Sequence, residues 1–292
     1  MGAVRSSARG VSRRGILAGA GALAGVQIVG GIRGPAFAQG SAEPIKIGLQ
    51  AHRTGIGAVY GYWYERTSQA AVAALNEMGG IGGRPIELIV EDDATDAKRA
   101  SEIMEKFATQ HQVDLVFGPL FGHVVNPSVA RAGELKMPLF LVSETSELAN
   151  GLHNRYTFQT GITTVQSQIK SVAPFIFSNL GKKVAMILPD YSFGYEHRDN
   201  FIKAAQEQGA EVTAVIAIPP TETTFTRYFS QVPADTEVIY HVLVGPAVLT
   251  FVREMGEYFG AGGPKLFGFI DSLESVDLSA PGLEFLEGSH LW

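Results

Sequence analysis

The sequence has no cysteine among its 292 residues. That absence excludes a disulfide framework, thiolate zinc or iron–sulfur ligation, and a thiol nucleophile. Positive charge is also scarce: 23 Lys and Arg stand against 29 Asp and Glu, a net charge of −6. No nucleic-acid partner is expected, because neutralising phosphates needs clustered Lys and Arg. Beyond the first forty residues no apolar run is long enough to span a bilayer. The seven histidines (52, 111, 123, 153, 197, 241 and 290) contain no H-E-x-x-H pair or other metal-ligand spacing. No G-x-S-x-G elbow occurs either, so no enzyme activity, cofactor or metal is expected. What is present, 46% hydrophobic and 18% charged residues, is the composition of a folded chain of one or two domains.

Charge is unevenly placed. Residues 1–38 hold five arginines and no acid, and without them 18 basic residues face 29 acidic ones, a net of −11. Within this stretch Arg13-Arg14 precede an apolar run from Gly15 to Ile32, and Ala36-Phe37-Ala38 end it with small residues before Gln39. A charged start, an apolar middle and an A-x-A end define an export signal, with cleavage expected near Ala38-Gln39 and a periplasmic mature chain. The paired arginines resemble a twin-arginine signal, although Ile16 stands where an aromatic is usual, which leaves the general secretory route open.

From Ile45 onward, strands and helices alternate. Strands are predicted at 45–49, 86–90, 114–117, 138–142, 184–188, 211–218, 237–242 and 265–270. Helices are predicted at 62–78, 98–110, 127–135, 165–180, 195–208, 225–231 and 247–259. This rhythm argues for α/β architecture, parallel sheets with helices on both faces, in two groups joined near 155–163. Ligands of such sheets gather beyond the carboxyl ends of the strands, so the segments after each strand are the ones that would form a cleft. His52 and His123 both fall in such segments. The run Gly79-Gly80-Ile81-Gly82-Gly83 leads from helix into strand, the reverse of a phosphate loop, and is read as a helix stop and turn. Asp92-Asp93 with Asp96 lacks the spacing of a calcium loop and is read as a helix start.

Residues Ala70 to Leu88, with the Asn76-Glu77-Met78-Gly79-Gly80-Ile81-Gly82-Gly83-Arg84-Pro85 core, and Glu91 to Asp96 resemble the branched-chain amino acid type of ABC-transporter substrate-binding protein. Val116-Phe117-Gly118-Pro119, Asn126-Pro127, Pro189-Asp190-Tyr191-Ser192-Phe193-Gly194 and Phe267-Gly268 extend the likeness over most of 45–290. The resemblance implies a type I periplasmic binding fold of two lobes, divided as 39–160 and 161–285, with 286–292 starting a crossing back to the first lobe. It also implies a chain that ends early and is less stable than a complete member. The implied function is capture of a small solute in the interlobe cleft and delivery to an inner-membrane ABC permease, by a monomer. A ligand-sensing module is the alternative, and a secreted enzyme the weaker one.

Carried over position by position, the resemblance puts the ligand against Tyr60, Gly122, His123, Ser143, Glu144, Thr145, Phe193 and Asp271. Gly122 stands where a hydroxyl residue is common, and Glu144 interrupts a small-residue pair. These departures widen the expected ligand from a branched-chain amino acid to an amide, a urea or an aromatic acid.

Overall fold

The computed structural model describes residues 43–146, 154–160, 163–245, 247–269 and 289–292. The expected export segment and Asp271 lie outside the described residues.

Two all-parallel sheets carry the fold. In the first, β1 (Ile45–Ala51) and β2 (Ile86–Asp92) pair from Ile45 opposite Ile86 to Ala51 opposite Asp92. β3 (Leu115–Phe117), β4 (Leu139–Leu141) and β5 (Thr157–Gln159) complete the order β2-β1-β3-β4-β5. The second sheet contains β6 (Lys183–Pro189), β7 (Glu211–Ile218), β8 (Val238–His241), β9 (Lys265–Gly268) and β10 (His290–Leu291), in the order β10-β9-β8-β6-β7. Parallel neighbours need crossover connections, and the helices supply them. They are α1 (Ala58–Glu77), α2 (Ala97–Lys106), α3 (Gly122–Leu135), α4 (Val165–Asn179), α5 (Ser192–Gln208), α6 (Thr226–Phe229) and α7 (Val248–Phe259).

Strand alternation sorts the second lobe's core onto the two faces of its sheet. Val184, Met186 and Leu188 of β6 pack with α4 and α5, while Ala185 and Ile187 pack with α6 and α7. A strand buried on both sides has no polar face to show, which is why β6 is a run of apolar residues. The first lobe buries Met104, Phe107, Val116, Val129 and Leu139 between α2, α3 and the sheet. α1 differs: Gly61 is its only buried residue, and Trp63 (55% exposed) and, just past its end, Met78 (75%) face outward.

Three expectations shift. Pro127, read as a helix start, lies inside α3, which begins five residues earlier at Gly122. The Phe121 carbonyl accepts the Val124 and Val125 N–H groups and closes the first turn, so the proline forfeits a single bond further along. β5 occupies a segment read as a plain connection. His290–Leu291, expected on a path back to the first lobe, instead pair parallel to β9 as the edge of the second sheet.

Candidate solute-binding cavity

Two helix starts make the site. α3 opens just after β3 and α5 just after β6, each where the chain leaves the carboxyl end of a parallel strand. The first-turn amides of a helix have no partner within it and carry its positive end, so each start presents donors suited to a negatively polarised group. The starts approach closely: a Cβ on Gly122 would lie 2.5 Å from the Ser192 hydroxyl oxygen. Gly194 is required for a different reason, since a Cβ there would lie 2.0 Å from the Pro189 carbonyl oxygen.

Between them is a cavity of about 430 Å³, within the usual range for small-molecule sites. Tyr60, Gly122, Ser143, Glu144, Thr145 and Phe193, all named from the sequence, line it. His123 does not. Its ring lies behind the wall, Nε2 donating to the Thr95 carbonyl at 2.9 Å and the ring edge-on to Tyr191 at 4.9 Å. Burial there holds the His123 pKa below the usual histidine value.

Aromatic rings run along the walls. Tyr60 meets Phe121 edge-on at 5.8 Å, Tyr191 stacks with Phe193 at 6.2 Å, and Phe193 continues to Phe269 at 6.0 Å. Phe121 and Tyr191 join the two lobes in one small apolar cluster with Ala100 and Val124. Burial, with Tyr60 and Glu144 adding to it, pushes the Tyr191 phenol far up, so this hydroxyl stays a neutral donor.

Polar residues line the cavity as well, Asn126, Asn200, Ser143, Thr145 and Ser192 among them. The Ser192 hydroxyl is buried and has no hydrogen-bond partner among the described residues, which leaves a donor and an acceptor open at the cavity. Glu144, Glu196 and Asp199 are the acids of the wall, and no Lys, Arg or His lines it among the described residues. Glu196 also ties the lobes, accepting the Ser146 N–H at 2.5 Å. Asp199 pairs at the surface with Arg198 at 2.7 Å.

Tyr195, Glu196, Asp199 and Asn200 come to the cavity from the first two turns of α5. Their spacing from Ser192, three to four residues at each step, puts them on one helix face. That spacing was available in the sequence once the helix start was placed at 192 and not at 195.

The molecule is thus a two-sheet parallel α/β protein with a cavity between the starts of α3 and α5. The chain belongs to the periplasmic binding protein family, whose model matches residues 44–292. Among relatives, it is 25% identical to the Leu/Ile/Val-binding protein homolog 1 of Brucella abortus over 231 residues, 76% of this chain and 60% of the relative. It is 29% identical to the Leu/Ile/Val-binding protein BraC3 of Rhizobium johnstonii over 219 residues, 70% of this chain and 56% of the relative. The fold matches a branched-chain amino acid transporter substrate-binding protein, LivJ of Streptococcus pneumoniae, solved with isoleucine. The TM-score there is 0.67 at 23% identity, covering 79% of this chain and 65% of that one. A solute-binding protein of an R. palustris ABC transporter, solved with 4-hydroxybenzoate, matches with a TM-score of 0.69 at 22% identity, covering 79% and 62%. The chain thus spans about 60% of the length of the relatives it matches.

Proposed function

We propose that this chain is the solute receptor of an ABC importer, acting in the periplasm after export and handing its ligand to a membrane permease. The observation that carries the reading is the cavity enclosed by the starts of α3 and α5, one from each lobe. On this reading the lobes divide near residue 160 and close over the solute. The residues in contact with it are Tyr60, Gly122, Ser143, Glu144, Thr145 and Phe193, with Ser192 and Tyr191 added, and Asp271 remains a candidate.

The ligand we infer is a small solute with a polar head and an apolar or aromatic body. A carboxylate or amide oxygen would sit at the helix starts, where backbone N–H groups and the hydroxyls of Ser143, Thr145 and Ser192 can donate. The Tyr60–Phe121 and Tyr191–Phe193–Phe269 rings would cover the body. A branched-chain amino acid and an aromatic acid satisfy this pattern in full, an amide with an apolar chain likewise, and urea only at its polar head. Support for both ends of the range comes from fold neighbours holding isoleucine and 4-hydroxybenzoate.

The test is a thermal melt of the chain from Gln39 with a panel of isoleucine, acetamide, urea and 4-hydroxybenzoate. A ligand that binds only the folded state raises the midpoint by mass action, by an amount that grows with concentration above its Kd. A rise with one chemical class is expected. A cooperative melt that no amino acid, amide, urea or aromatic acid moves would overturn the reading.

A further inference from the structure

A buried polar network stands directly behind the first lobe's wall of the cavity. Gln50, His52, Asp93 and Ser128 are all fully buried. His52 Nδ1 lies 2.7 Å from Asp93 Oδ1, and Gln50 Nε2 donates to Asp93 Oδ2 at 3.0 Å. The Thr95 N–H donates to the same Asp93 Oδ1 at 2.8 Å, and Ser128 Oγ donates to Gln50 Oε1 at 3.0 Å. On the far side of the imidazole, the Leu120 N–H donates to His52 Nε2 at 3.2 Å. The ring also meets Phe121 edge-on at 5.1 Å.

These partners fix the histidine's state. Asp93 is an acceptor facing Nδ1, and a backbone N–H is a donor facing Nε2. Only the neutral ring with its proton on Nδ1 satisfies both. Leu120 and Phe121 are cavity-lining residues, and Phe121 caps the start of α3. The loop that supplies Asp93 is itself held in an uncommon shape: Ala94 and Thr95 both have left-handed backbone, φ 52° and 55°. The Asp92 and Asp93 side chains brace it by accepting their N–H groups. Strained backbone held by buried side chains is a feature of sites where geometry matters.

We propose that His52, locked by Asp93 as the Nδ1–H tautomer, is the positioning residue of this wall, setting where Leu120, Phe121 and the α3 amides stand. The proposal rests on the cavity being the solute site, but its first test needs no ligand. In the chain from Gln39, ¹⁵N spectra of the imidazoles should show His52 Nε2 unprotonated and Nδ1 protonated. The Leu120 amide should exchange slowly with solvent. His52→Gln places an acceptor where Nε2 was and should keep Leu120 protected. His52→Asn reaches only Asp93, and His52→Phe has no acceptor, so both should expose Leu120 at least tenfold. Core amides such as that of Ile187 should be unaffected.

A proton on His52 Nε2 in the wild-type protein would overturn the proposal. So would Leu120 exchange that is the same in folded His52→Asn and His52→Phe as in wild type. Should the variants not fold, the wild-type tautomer alone decides. With isoleucine and 4-hydroxybenzoate as probes, any affinity seen in wild type should fall in His52→Phe and hold in His52→Gln. If neither probe binds wild type while the exchange pattern appears, the solute reading is weakened and the positioning role stands.

Discussion

Phe193 sits between the cavity and the buried interior. One face lines the cavity, and its edge meets the His197 ring at 4.5 Å. Truncating it removes a ring from the wall of the proposed solute site and leaves a hole against His197. Phe193→Ala should therefore weaken solute binding by about 1 kcal/mol or more, roughly fivefold in Kd, measured by calorimetry. Tyr60→Ala should do the same from the other lobe. Unchanged affinity in both would remove these rings from the site. His197 and His241 are fully buried, and burial pushes each pKa down to about 3. A histidine depressed in the folded state takes up its proton mainly in the unfolded chain, so stability is full above pH 6.5 and is lost as pH falls toward 3. The melting midpoint should fall across that window, and His241→Leu should flatten the fall without lowering stability at pH 7. His241 is the better choice because neither of its ring nitrogens has a hydrogen-bond partner among the described residues, whereas His197 Nδ1 is bonded to the Tyr240 hydroxyl at 2.7 Å. An identical pH dependence in His241→Leu would contradict this.

At the scale of elements, the site depends on two helices starting where they do. Gly122→Ala drives a methyl group toward the Ser192 hydroxyl at 2.5 Å and should push the α3 and α5 starts apart. Solute affinity should drop several-fold, and Ser192→Ala in the same chain should recover part of it, a coupling visible in a double-mutant cycle. Additive losses would show that the two starts do not meet. The periodic signals for these helices are strong in the sequence and the α/β alternation follows from them, while the cavity-lining Tyr60, Ser143 and Phe193 were legible only through the family resemblance. Helix starts were less legible. Pro127 and Tyr195 looked like first-turn residues, yet α3 and α5 begin upstream at Gly122 and Ser192, and the cap positions before them, Phe121 and Tyr191, make no side-chain cap bond. Without a capping side chain the local pattern has no start marker, and the start is set by packing across the cavity. The placement of His123 failed for a related reason: its position after a strand is legible, but only the tertiary bond to Thr95 turns its ring away from the cavity. β5, three residues with no alternation to read, is held by its register with β4. Along α1, Trp63 is more than half exposed while Trp292 packs against Phe269 at 5.1 Å. The Trp63→Phe variant should lose the red-shifted part of the tryptophan emission and keep the rest. An unchanged spectrum would mean that Trp63 is covered in solution.

For the whole molecule, the two parallel sheets and the family match support the proposed account of a receptor that holds a small solute between lobes. Both lobes contribute to every part of that account. The aromatic wall crosses from Phe121 to Tyr191, at 6.4 Å, and the Ser146–Glu196 bond ties the first lobe's cleft loop to α5. The measurement that tests this most directly is backbone amide chemical-shift mapping of the chain from Gln39, titrated with whichever panel compound raises its melting point. The largest shifts should fall together on Gly122, His123, Ser192 and Phe193, the two helix starts, in a single saturating process. Shifts confined to one lobe, or centred away from both starts, would contradict the account.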